Sequence, residues 1–208
     1  MDLNLEAEEW IEKKGLIVSE LENPLIDPKV CEEFVNDVHK KYSLDFSYGG
    51  WMEDRSFLWK AGYLEKEKMF IHLGVDINVP VGTEVATDFK AEALKIDNDY
   101  PLDGGWGTHV FLKNLEKDVC VLYAHLDQEV FCKEGDVLKK DTIFAKVGEA
   151  PFNGNWFPHV HVQTISIEYY EQLKQTNDWE RFDGYGLKND SRENARKHRD
   201  PLGFISLT

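Results

Sequence analysis

Between residues 69 and 167 the chain runs as short β-branched and aromatic stretches, each cut by Gly, Pro, Asn or Asp. They are Met69–Val79, Glu84–Thr87, Ala91–Ile96, Thr108–Lys113, Val119–His125, Thr142–Val147 and His159–Ile167. No helical periodicity separates them. Parallel strands need long crossovers, usually helices, so this pattern predicts an antiparallel sheet, sandwich or barrel.

The flanks read differently. Trp10, Ile11, Leu16, Ile17 and Leu21 recur at loose helical spacing, and Asn23-Pro24 is expected to stop that run. Asp27-Pro28 opens a second helix, with Asp27 as cap and Val30, Phe34, Val38 and Tyr42 on one face. Residues 47 to 69 are aromatic and Gly-rich and read as irregular structure or short strands. A further helix is expected over Tyr169–Thr176. The expected organisation is a helical and irregular N-terminal extension (1–68), a β-rich domain (69–167) and a helical, polar C-terminal extension (168–208).

Charge narrows the partners. The chain carries 24 basic and 39 acidic residues, a formal net charge of -15, which repels phosphate backbones and anionic lipid. Neither a nucleic-acid nor a membrane partner is expected, and no run approaches the ~20 apolar residues of a spanning helix. The acidic start, Met1 to Glu9, has no apolar stretch of the secretory kind. With an odd number of cysteines (Cys31, Cys120, Cys132) and no Cys-x-x-Cys spacing, the expected setting is reducing and cytoplasmic.

The chemistry lies in the histidines. On a strand, residues two apart share a face, so His72, Gly74 and Asp76 point one way and Ile71, Leu73, Val75 and Ile77 the other. The same alternation puts His159, His161 and Gln163 together. His125 ends the apolar run Val121–Ala124. Each segment alone is also what an ordinary half-exposed strand looks like, and a bare His-x-His is weakly specific. Together they fit the arithmetic of catalytic zinc, which takes three protein ligands and leaves one position for water. His72, Asp76 and one of His159 and His161 supply three. The other member of the pair and His125 remain to act on water and a developing oxyanion. Spacing does not decide which of the pair ligates, and iron, cobalt or manganese also suit such a donor set.

His72-x-x-x-Asp76, Tyr123-Ala124-His125-Leu126 and His159-x-His161 resemble, in that order, the lysostaphin/LytM-type zinc metallopeptidases. Gly74-Val75-Asp76 followed by Pro80-Val81-Gly82-Thr83-Glu84-Val85 is similar to that family's framework. So are Gly105-Trp106-Gly107-Thr108-His109-Val110 and Gly135-Asp136-Val137. The resemblance covers about residues 70 to 166. It implies a mainly β fold, an antiparallel β-sheet groove of the lysostaphin type with helical extensions. It implies zinc held by His72, Asp76 and His161, and His125 and His159 as the catalytic pair. In place of the family's Ser/Thr-Gly-Pro-His-Leu-His-Phe stands Asn153-Gly154-Asn155-Trp156-Phe157-Pro158-His159-Val160-His161-Val162-Gln163. This variant resembles lysostaphin-type domains of intracellular, multi-domain aminotransferase-like proteins.

The expectation is therefore a zinc metallo-endopeptidase acting on a peptide or amide substrate, peptidoglycan fragments among the candidates. The alternatives are a metal-binding recognition module without catalysis and a zinc hydrolase of a non-peptide amide. Arg55, Trp59 and Tyr63 precede the His72 strand and are candidates for one groove wall, with core packing the expected role. Trp156 and Phe157 are expected either in a groove wall or in a packed loop. A surface or structural role is expected of His109, and solvent exposure of His39 and His198.

Overall fold

The computed structural model describes residues 3–99, 104–179 and 182–207. Helix α1, Leu3–Lys14, stops at Gly15 rather than at Asn23-Pro24. Gly15 takes φ +66°, and Leu16 N–H closes back on Ile11 O, the glycine-terminated helix end that only a residue without a Cβ enters cheaply. Ile17 and Leu21, counted above as part of a helical stripe, are exposed instead. Helix α2, Pro28–Tyr42, begins as expected, with the Asp27 carboxylate accepting from Lys29 N and Val30 N. Its buried face is Cys31, Phe34, Val35 and Val38; Tyr42, at the far end, is exposed. Ala7, Trp10 and Ile11 of α1 close over Phe34, Val35 and Val38 in a small core of their own, against which Phe57, Leu58 and Phe157 pack.

The strands follow in chain order: β1 Ser47–Gly49, β2 Ile71–His72, β3 Val75–Asn78, β4 Glu84–Ala86, β5 Ala91–Asn98, β6 Thr108–Asn114, β7 Cys120–Leu126, β8 Val137–Leu138, β9 Ile143–Lys146, β10 Val160–Ile165, β11 Tyr185–Gly186 and β12 His198–Arg199. The main sheet runs β1-β3-β10-β7-β6-β5-β8, with β12 also paired to β10. Every recorded pairing is antiparallel. Two-stranded pairs, β2 with β11 and β4 with β9, flank it. This is the mainly β, antiparallel sheet with helical additions that the sequence predicts.

Both faces of the central strands are covered. Val110, Leu112, Val121, Tyr123, Phe144 and Val162 fill one side. Phe111, Cys120, Leu122, Ile165 and Phe182 fill the other, under helix α3, Ile167–Thr176, which Ser166 caps through Tyr169 N. The basic stretch before Asp200 contains a last short helix, α4, Ser191–Lys197. All three cysteines are buried free thiols, and no described helix is long and apolar enough to cross a membrane.

One predicted strand divides. Met69–Val79 breaks at Leu73-Gly74, where the chain leaves the β2/β11 pair and enters the main sheet as β3. Leu73 N–H donates to Gly184 O across this step. A Cβ on Gly74 would lie 2.6 Å from the His161 ring and from Val162 O. Only glycine lets the crossing strand approach β10 this closely.

Candidate active site

The register of three neighbouring strands places the predicted residues. His161 of β10 lies opposite Asp76 of β3 on one side and Ala124 of β7 on the other. His125 follows Ala124, and His159 immediately precedes β10. The site therefore sits across β3, β10 and β7, with His72 arriving from the adjacent two-stranded pair.

Three donor atoms converge. His161 Nδ1 is 2.8 Å from Asp76 Oδ1, His72 Nε2 is 3.3 Å from the same oxygen, and the two nitrogens are 3.2 Å apart. The hydrogen-bond network assigns both tautomers. His72 Nδ1–H donates to Gly50 O at 3.0 Å, and His161 Nε2–H donates to Gln163 Oε1 at 2.9 Å. Each ring's N–H is thus committed to a carbonyl on its far side, and a lone pair faces the carboxylate oxygen. Three acceptors this close, with no proton to share, repel unless a cation lies between them. A tetrahedral ion with bonds of about 2.0–2.1 Å sets its ligands about 3.3 Å apart, so the donor set fits such an ion. These three form the potential metal-binding group among the described residues.

The two histidines and the carboxylate are braced from behind, an arrangement that metal sites use. Gln163, oriented by His161, donates from Nε2 to Asp183 O and to His198 Nδ1. His198 is therefore a buried support, 4% exposed, and not the solvent-exposed residue its basic neighbours suggested. His39 is likewise half-buried, bonded to Ser47 Oγ at 2.8 Å. Arg55, expected in ordinary packing, donates from Nη1 to Asp76 Oδ2 and to Tyr185 Oη, and from Nε to Glu53 Oε2. Trp59 Nε1 also donates to Tyr185 Oη, so Trp59 belongs to the site wall; the Tyr63 side chain lies outside the described residues.

Burial works to raise the Asp76 carboxyl, but the charge of the Arg55 guanidinium beside it leaves it well below the usual carboxylate range. Burial, with Arg55 beside it, pushes the His72 imidazole down to about 4. Burial raises the Tyr185 phenol to about 12.

His125 and His159 stand beside the triplet with ring centroids 4.3 Å apart. His125 Nδ1–H donates to Asn153 O at 2.9 Å, and His159 Nδ1–H to Phe157 O at 2.8 Å. Both therefore present an unprotonated Nε2, and that of His159 is 3.8 Å from Asp76 Oδ1. Burial lowers both imidazoles, His125 far below the ordinary value because His159 and His161 add to it. His125 holds φ +63°, a conformation rare for side-chain-bearing residues that costs about 1–3 kcal/mol. Its backbone is pinned there: His125 N–H donates to Trp106 O, and its carbonyl accepts from Gly148 N.

A cavity of about 870 Å³ opens over these groups. Phe157 is both packed and wall-forming: it touches the α1/α2 core and stacks on His159 at 4.9 Å. Trp156 leans on Trp59, and Trp106 lies 5.1 Å from the His161 ring. His109, expected at the surface or in a structural role, is 7% exposed and lines the same cavity.

All five predicted site residues, His72, Asp76, His125, His159 and His161, lie together. What strand alternation missed is the bracing: Arg55, Tyr185, Gln163 as a ring orienter, and His198.

Residues 70–174, half of the chain, match the sequence model of peptidase family M23. The chain belongs to peptidase family M23. No curated protein matches this M23 chain. Among solved structures it is similar to the catalytic domain of the antimicrobial peptidase lysostaphin from Staphylococcus simulans. That match has 17% identity and a TM-score of 0.48, and covers 83% of this chain and 95% of that one. It is similar to lysostaphin in its solution structure (20% identity, TM-score 0.46), over 59% of this chain and 44% of that one. A zinc containing peptidase from Vibrio cholerae is a third (19% identity, TM-score 0.37), over 47% of this chain and 28% of that one. This chain thus spans less than half the length of that lysostaphin.

Proposed function

We propose that this M23 chain is a zinc-dependent metallo-endopeptidase, with His72 Nε2, His161 Nδ1 and Asp76 Oδ1 holding the ion. The observation that carries the reading is the convergence of three lone-pair atoms whose rings have already given their N–H groups away. When bound, zinc polarises a carbonyl and brings the pKa of a water toward neutrality.

The remaining chemistry belongs to the chain. His159 Nε2, 3.8 Å from Asp76 Oδ1, takes the proton of the attacking water. Once protonated, it donates to the oxyanion or to the leaving amine. His125 adds a second Nε2 acceptor, its ring held by Asn153 O and its strained backbone. Burial keeps both imidazoles neutral at pH 7, the state in which a base works. The aromatic walls exclude water around them. The substrate is a peptide or amide, peptidoglycan fragments included, and three buried free thiols favour a reducing, cytoplasmic setting.

The test is metal analysis of the purified chain, followed by hydrolysis assays on peptide, muropeptide and small-amide panels, with and without chelation. Stoichiometric zinc and peptide cleavage lost on chelation support the reading. Zinc without turnover would identify a recognition module. Turnover of small amides alone would identify a metabolite hydrolase. No metal in the wild type would end it.

A further inference from the structure

The order of strands in the main sheet gives the cavity two unlike ends. β1 borders β3 on one flank of the triplet, and β6 then β5 lie beyond β7 on the other. At the β5 end the lining is charged, with Lys95, Asp97 and Asp99. Helix α2 is tied to the β1 flank by the bond between His39 and Ser47 Oγ. Here the wall is Ile26, Pro28, Cys31, Val35, Leu58 and Phe157. Of the described residues before 77 that line the cavity, only Arg55 and Asp76 are charged, and they pair with each other.

This apolar wall is open and fastened in place. Ile26, Pro28, Leu58 and Phe157 are half-buried, so each keeps free surface. Asn23 is buried, and its Nδ2 donates to Phe57 O and Leu58 O at 3.1 Å each, while its Oδ1 accepts from Leu25 N. One side chain thus locks the turn Pro24–Ile26 to the Leu58 segment. Phe157 joins the wall to the reacting groups, since it packs on the α1/α2 core and stacks on His159 at 4.9 Å. Except for Phe157, the wall precedes the residues that match the M23 model and is this chain's addition to that domain.

A preformed apolar hollow gains when an apolar group displaces its water. A charged side chain placed there would lose its hydration without gaining a partner. The contact of Phe157 with His159 sets the occupant close to the reacting bond.

We propose that the end of the cavity formed by Pro24–Ile26, α2, Leu58 and Phe157 is a subsite for one large apolar side chain of the substrate, so that this chain selects peptides with a leucine- or phenylalanine-type residue beside the bond it cuts. The inference rests on the proposed function in placing a peptide in this cavity, but it concerns binding and is read without turnover.

The experiment uses the full chain and glycine-serine hexapeptide amides in which each position in turn is glycine, leucine, phenylalanine or glutamate. Dissociation constants are measured by calorimetry with a chelator present, so that no bond is cut. Hydrolysis is measured separately on the zinc-loaded chain, with the cleaved bond located by mass spectrometry. Burying one such side chain changes a dissociation constant about ten-fold or more. The expected result is therefore one position where leucine or phenylalanine binds at least ten-fold tighter than glycine, with glutamate no tighter than glycine. That position should lie within two residues of the cleaved bond. Ile26→Glu should reduce the preference to under three-fold, and Leu58→Ala, which enlarges the hollow, should shift it from leucine toward phenylalanine. Circular dichroism and zinc content check that both variants fold. Equal binding of all four residues at every position would overturn the proposal, as would an undiminished leucine preference in Ile26→Glu or a preferred position far from the cleaved bond. Hydrolysis without apolar preference would sink the subsite and leave the peptidase reading standing. Apolar preference without hydrolysis would do the reverse.

Discussion

Arg55 Nη1 donates to Asp76 Oδ2, leaving Oδ1 of the same carboxylate turned toward His72 and His161. The guanidinium thereby divides the labour of the two oxygens: one is anchored and one is offered.

Replacing Arg55 should therefore damage the site without touching a ligand. Arg55→Met leaves the buried Asp76 and the half-buried Glu53 without their cation. Removing one partner of a buried pair costs about 3–5 kcal/mol, to be read as a lowered urea midpoint. Zinc affinity, measured by competition with a chromophoric chelator, should fall about 10–100-fold. Arg55→Lys should recover only part of this, because one ammonium cannot serve Asp76, Tyr185 and Glu53 in a planar fork. Unchanged zinc affinity in Arg55→Met would show that the anchor is dispensable.

Gln163 should act on the metal site through His161. Its Oε1 holds the Nε2–H tautomer, which frees Nδ1 for the triplet. Gln163→Leu is expected to lower zinc affinity about 10–100-fold, while circular dichroism stays that of the wild type. Affinity equal to wild type would mean that packing alone orients the ring.

Gly74→Ala is a separate steric test. The added methyl would sit 2.6 Å from His161 ring atoms and from a backbone carbonyl, so β3 or the ring must move. The expected result is a folded chain with loss of stoichiometric metal, measured by elemental analysis. Full zinc occupancy in the variant would show that the ligand set tolerates a shift of the strand.

The metal-free chain should be acid-sensitive. His198 is buried, accepts from Gln163 Nε2 at 2.9 Å, and titrates at about 4 against an ordinary 6.5. Below pH 6.5 the unfolded chain binds this proton and the folded chain does not. The stability is thus complete above about 6.5 and is lost as pH falls toward 4. One such group is worth about 3 kcal/mol across that window. His198→Asn keeps an acceptor and removes the titration, so its unfolding free energy should vary less with pH. Identical pH profiles for the two chains would remove His198 from the account.

The face that carries the candidate site was legible because strand alternation is local. His72, Asp76, His159 and His161 can be assigned to faces from neighbours two residues away, and the glycine framework fixes the turns between them. The bracing was not legible, because its partners are distant in sequence. Arg55 meets Tyr185, and Gln163 meets His198, with nothing periodic in between. His198 misled for a clear reason: Arg196, Lys197 and Arg199 imply solvent, but pairing of β12 with β10 turns the imidazole inward. The first helix was overextended because apolar Leu16, Ile17 and Leu21 kept a loose period past Gly15, whose left-handed backbone ends it.

The pairing of Asp76 with His161 joins points 85 residues apart, and its supports lie later still, at Tyr185 and His198. Contacts this distant in the chain form slowly. A ribosome that stalls before residue 161 releases a polypeptide with His72, Asp76 and His125 but no centre. Whatever the finished centre does, its own unfinished copies lack the residues for it.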